Sequence, residues 1–107
     1  MPQATDQQDL ALARLVELSE LMLCNAIAGA WGSVIELQKL RDGLVREFFS
    51  QPLGIRAEAV VSGVRHMLES DKQLTAAIVE EKKSLQKEII ALKQGKDVSR
   101  AYSNTEF

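Results

Sequence analysis

Apolar positions along this chain recur every three to four residues through three long stretches, with almost no strand-like alternation between them. That period predicts three helices. The first starts after Thr5 or Asp6, either able to cap a first turn, and ends before Gly29, over about 6–28. At 100° per residue it gathers Ala11, Leu12, Leu15, Val16, Leu18, Met22, Leu23 and Ala26 on one arc, with Asp9, Arg14, Glu17, Glu20 and Asn25 opposite. Leu10, Leu21 and Cys24 fall on the polar arc, more apolar surface than a helix covered on one side requires. The second helix runs over about 33–49, from Ser33 as cap to the residues before Pro52, with Val34, Leu37, Leu40, Leu44, Val45 and Phe48 inward.

The third stretch keeps its apolar arc in one place from Val60 through Val64, Met67, Leu74, Ile78, Leu85 and Ile89 to Leu92. An unmoved arc means an unbroken helix, over about 55–93, despite the cap-favouring pair Ser70 and Asp71 in its middle. Gly95 supplies the expected stop, so residues 1–94 form a helical domain and residues 95–107 a polar tail with Val98, Tyr102 and Phe107 as its sizeable apolar groups.

At 1.5 Å per residue the three helices measure roughly 35, 25 and 58 Å, and the short links between them make neighbours antiparallel. The expected fold is all-α: an antiparallel three-helix bundle with a long, projecting third helix and a short C-terminal tail. Helix three should draw level with Trp31 at about residues 75–78, leaving Val79, Leu85, Ile89, Ile90 and Leu92 without intramolecular cover, while Val60, Val64, Met67, Leu74 and Ile78 are assigned mainly to the core. Uncovered apolar turns mark a surface for another chain. Leu85, Ile89 and Leu92 are the leading partner-binding candidates, with Val79 and Ile78 beside them and Ile35, Phe49 and Val61 as secondary ones.

Composition narrows the functional classes. The 107 residues make one small domain, and 13 Lys and Arg against 15 Asp and Glu give a net charge of -2, without the basic excess that nucleic-acid binding needs. The single Cys and single His complete neither a disulfide nor a structural zinc site. No segment approaches the roughly 18 apolar residues of a membrane span, and the polar start Met1 to Asp6 is unlike a secretory signal, so a cytoplasmic location is expected.

Single residues read as structural. Trp31 in the first inter-helix turn plugs the end of a bundle. Arg41 lies within the inner arc of helix two and needs a carboxylate or water. Counting along antiparallel helices sets it opposite residues near 63, about 12 Å short of Asp71, so the two are expected apart, with Asp71 level with the N-terminus of helix two. His66 falls on the wet face of helix three and Cys24 on the outer face of helix one, neither with a companion that would activate it. The Glu80, Glu81, Lys82, Lys83 cluster, with Lys87 and Glu88, is a solvated helix face laced by local pairs. With no phosphate loop and no catalytic constellation, the chain reads as a non-enzyme without cofactor or metal.

A Leu-rich first helix ending in Ala28-Gly29-Ala30-Trp31, then Leu37-Gln38-Lys39-Leu40-Arg41-Asp42-Gly43-Leu44, a long helix around Asp71, and Ala101-Tyr102 near the end together resemble the flagellar chaperone FliT family. The similarity covers nearly the whole chain; Gly32 and Ser33 stand where members often carry an acidic cap. The resemblance implies a cytoplasmic type III export chaperone that binds the C-terminal region of the filament-cap protein FliD and delivers it to the export apparatus. In some members it also implies restraint of a flagellar transcription regulator. It further implies a C-terminal segment, here around Tyr102, that masks the binding face. The alternative reading is a structural homodimeric helical adaptor without an export client.

Overall fold

A computed structural model describes the backbone of residues 4–106 and the side chains of residues 6–95. Three helices account for it: α1 (Ala4–Ile27), α2 (Trp31–Phe49) and α3 (Ala57–Glu106), with no strand among the described residues. The chain divides into two compact units, Met1–Ala77 and Ile78–Phe107.

The first unit is a bundle centred on α1. Leu15, Leu18 and Met22 are almost wholly removed from solvent, each burial stabilising by about 1.5–3 kcal/mol. Around them the core forms two apolar clusters. One joins Leu12, Leu15 and Phe48 with Leu44, Val45, Ile55 and Met67; the other joins Met22, Ala26, Val34 and Leu74 with Leu23, Trp31, Leu37 and Ala77. These partners run α2 antiparallel to α1 and set the first turns of α3 parallel to it. Trp31 packs at the turn end of the second cluster, beside Leu74 and Ala77, as the length count expects.

Local chemistry explains the turns. Gly29 takes φ 77°, which a residue with a Cβ adopts only with strain. Its N–H donates to the Ala26 carbonyl at 3.0 Å, and the Ala30 N–H donates to the Asn25 carbonyl at 2.8 Å. That pair is a Schellman closure of α1. The reversal is so tight that α2 begins at once: Ala30 is its N-cap without a side-chain cap, and Ser33 lies inside the first turn instead of capping it.

Ser50–Arg56 links α2 to α3, and Gln8 of α1 holds this link like a neighbouring strand. Its side-chain amide donates to the Pro52 carbonyl at 2.9 Å, and its Oε1 accepts from the Gly54 N–H at 2.7 Å.

Three expectations about α3 are corrected or refined. It does not end near residue 93: the helical backbone passes through Gly95 to Glu106, so residues 96–106 are no separate tail in their backbone. A glycine inside a helix weakens it by only about 1 kcal/mol, and Gly95 is not in the left-handed conformation that would end it. Ser70 lies within unbroken helix and is buried, as the constant apolar phase requires. Asp71 does meet Arg41, with Nη1 2.6 Å from Oδ1, and is not placed to serve the N-terminus of α2. The residue count fails because it sets the end of α2 level with the start of α3, whereas the packing brings α2 against residues further along α3. Leu44 and Val45 share a cluster with Met67 and Val34 shares one with Leu74, so Arg41 falls level with the residues between Met67 and Leu74.

Candidate functional site

The second unit carries the leading candidates on one helix. Ile78, Val79, Leu85, Ile89, Ile90 and Leu92 are all exposed, Leu92 to 71%. At 100° per residue Ile78, Leu85, Ile89 and Leu92 fall within about 60° of arc, forming a narrow strip. Val79 and Ile90 make a second strip about 100° away. Ile78, assigned by pattern both to the core and to the partner surface, is exposed here and belongs to the surface. Tyr102 lies in the helical backbone of α3, and its side chain, with any masking contact, falls outside the described residues.

The secondary candidates sit in the first unit. Ile35 and Phe49 on α2 and Val61 on α3 are exposed. Phe49 stands edge-on to the buried Phe48, with ring centroids 4.9 Å apart at 88°, which holds its outer face toward solvent. Sequence reasoning missed Leu68, exposed to 62%. It follows Val61 by seven residues on the same helix face, and that spacing was the available signal.

Between the two core clusters lies a polar layer. Arg41 Nη1 donates to Asp71 Oδ1 at 2.6 Å and to Ser19 Oγ at 3.0 Å, while Ser19 Oγ donates to the Leu15 carbonyl at 3.0 Å. The Arg41 side chain is 11% exposed and that of Asp71 39%, so the cation is inside and the carboxylate reaches water. A buried guanidinium whose donors meet a carboxylate and a hydroxyl is satisfied, which explains why an arginine can occupy an inward arc. Ser19 and Ser70, both buried, were missed; each sits at helical spacing between large apolar residues, and a serine repeated inside an apolar stripe is their signal.

His66 Nε2 lies 2.6 Å from Glu20 Oε1, both half-exposed, so it bridges α3 to α1 across the surface. Cys24 is exposed. Among the described residues no helix is long and apolar enough to cross a membrane.

The arrangement therefore offers a closed bundle core, a satisfied polar layer and a helix bearing bare apolar strips. Such a surface can bind another chain. Comparison with curated proteins gives no match, and comparison with solved structures gives none either. A family model described as flagellar protein FliT matches residues 10–104, which takes in all of α2 and most of α1 and α3. The chain belongs to the flagellar protein FliT family, a family of flagellar export chaperones.

Proposed function

We propose that this chain is a cytoplasmic chaperone of the filament-cap protein FliD, binding that protein's C-terminal region and handing it to the export apparatus. The observation that carries the reading is the exposure of Ile78, Leu85, Ile89 and Leu92 as one strip on a helix. An amphipathic client helix lays its apolar face on such a strip through anchors spaced three, four and seven residues apart. Leu85, Ile89 and Leu92 are the main anchors and Val79 an additional one. Ile35, Phe49 and Val61 are secondary anchors on the bundle. Burying one such side chain fully is worth about 1.5–3 kcal/mol, so the three main anchors together contribute at most about 5–9 kcal/mol toward the cost of docking.

Regulation enters through the end of α3. Self-masking by the residues around Tyr102 requires the helix to open, and Gly95 is the weakest point at which it can do so. A masking segment shifts the closed and open forms by no more than its own differential contacts. Restraint of a flagellar transcription regulator is the further role that family membership suggests, with the same exposed strip as contact surface.

Column retention tests the reading. The full chain, immobilised, retains a FliD C-terminal fragment, and deletion of residues 95–107 increases retention. A full chain that never retains the fragment, with or without that deletion, counts against the client assignment. Chaperone and structural adaptor differ at this step, because the adaptor alone keeps self-association without ever holding the fragment.

A further inference from the structure

The first unit carries a cleft that shares no residue with the exposed strip of α3. It opens between α1 and α2, holds about 250 Å³, and takes its described lining from these helices and the link after α2, with none from α3. Ala11, Leu44 and Phe48 give it an apolar floor. Because Ala11 offers only a methyl group, the floor stays deep. One wall is fixed, since both ends of the Gln8 amide are spent on the Pro52 carbonyl and the Gly54 N–H.

Charge decides what fits. Arg14 on the α1 wall already meets a carboxylate, with Nη1 3.3 Å from Glu17 Oε1. Glu47 on the α2 wall is exposed, and its carboxylate meets no cation among the described residues; only its backbone carbonyl is engaged, by Ser50. The cleft therefore sets surplus negative charge beside an apolar floor, on a chain whose net charge is -2. Gln7 and Gln51 add amide oxygens that accept hydrogen bonds. A lysine or arginine side chain matches this lining, its stem lying along apolar surface while its head reaches the carboxylate.

We propose that the cleft docks a basic amphipathic helix of a partner protein, whose Lys or Arg enters it and pairs with Glu47. Apolar surface continues beyond the cleft to seat the rest of that helix. The Arg41 to Ser19 hydrogen bond fixes the antiparallel register, which sets Leu40 level with Leu21. Both are exposed, to 46% and 38%, and by helical phase both fall on the cleft's side of their helices. Leu40 precedes Glu47 by seven residues, about 10 Å or two turns. A helix lying in this groove thus places an apolar residue on Leu21 and Leu40 and a cation two turns along at Glu47. The unpaired carboxylate repels an acidic segment of the same shape.

The test uses the full chain and a synthetic helical peptide about 18 residues long, with a leucine and, two turns along, a lysine. A second peptide carries glutamate in place of that lysine. In an amide NMR titration the lysine peptide shifts Ala11, Leu21, Leu40 and Glu47, and the glutamate peptide binds about fivefold more weakly. Glu47→Lys reverses the preference. Ala11→Leu, at an exposed position, fills the floor and abolishes binding of the lysine peptide. Circular dichroism checks that each variant keeps its helices. Leu85→Asp with Ile89→Asp leaves the titration unchanged, which separates this groove from the client strip. Absence of any shift around the cleft at millimolar peptide overturns the proposal. So does equal affinity for the two peptides, or a set of shifts at Leu85 and Ile89 in place of the cleft. The titration contains no client, so it stands or falls apart from the chaperone assignment.

Discussion

Arg41 on α2 joins Asp71 on α3 at 2.6 Å and Ser19 on α1 at 3.0 Å, so one guanidinium ties three helices at the level between the two apolar clusters. Removing one partner leaves a buried group unsatisfied, which is worse than removing both. Because Asp71 is partly exposed, Asp71→Ala should destabilise the bundle by about 2 kcal/mol, below the loss seen for a fully buried pair. Arg41→Met combined with Asp71→Ala should destabilise by clearly less than the two single changes, Arg41→Met and Asp71→Ala, summed. Urea unfolding of the four proteins checks this; additive losses would mean that the pair contributes no coupling.

Close approach sets the second expectation. A Cβ at Gly63 would lie 2.8 Å from Leu12 Cδ1 and 3.0 Å from its Cγ, and Leu12 is buried with little room to retreat. Gly63→Ala should therefore lower stability by about 1 kcal/mol, even though alanine favours helix over glycine by about that amount. Gly43, also helical, faces open space: a Cβ there would meet nothing within 4 Å. Gly43→Ala should raise stability by roughly 0.5–1 kcal/mol. Thermal melts of the two variants should shift in opposite directions.

A third expectation separates core from binding surface. Leu18 is 0% exposed, and Leu18→Ala should destabilise by about 3 kcal/mol through lost burial and the cavity left behind. Leu85→Ala, on the exposed strip, should change stability by less than about 0.5 kcal/mol. If Leu85→Ala lowers the melting temperature as Leu18→Ala does, the strip is part of a folded core.

The turn after α1 provides a fourth. Gly29→Ala should destabilise by about 1 kcal/mol, because alanine resists the positive φ of the Schellman closure. Hydrogen exchange should show the loss first at the Ala30 N–H, whose bond to Asn25 depends on that conformation. Unchanged protection there would contradict this account of the turn.

Much of the fold is legible in the sequence because its signals are local. Apolar period yields three helices, Gly29 marks a real stop, and constant phase carries α3 through Ser70. Exposure of Ile35, Phe49, Val61, Ile78, Val79, Leu85, Ile89 and Leu92 follows from phase and length. What fails depends on non-local geometry. The Arg41–Asp71 pair turns on where along α3 the packing sets α2, which no helical count contains. Gly95 reads as a stop because glycine often follows a helix, yet glycine ends one only when the chain adopts the left-handed turn, as at Gly29 and not at Gly95. The cap at Ser33 is pre-empted by a reversal tight enough to start α2 at Trp31.

The central claim, that the bare strip of α3 is where a client binds, meets its most direct test in calorimetric titration of the full chain with a FliD C-terminal fragment. Leu85→Asp with Ile89→Asp should weaken binding at least tenfold, while Leu10→Asp with Ile27→Asp, still more exposed but on α1, should leave it unchanged. Equal affinity for the α3 variant and the unaltered chain would contradict the claim.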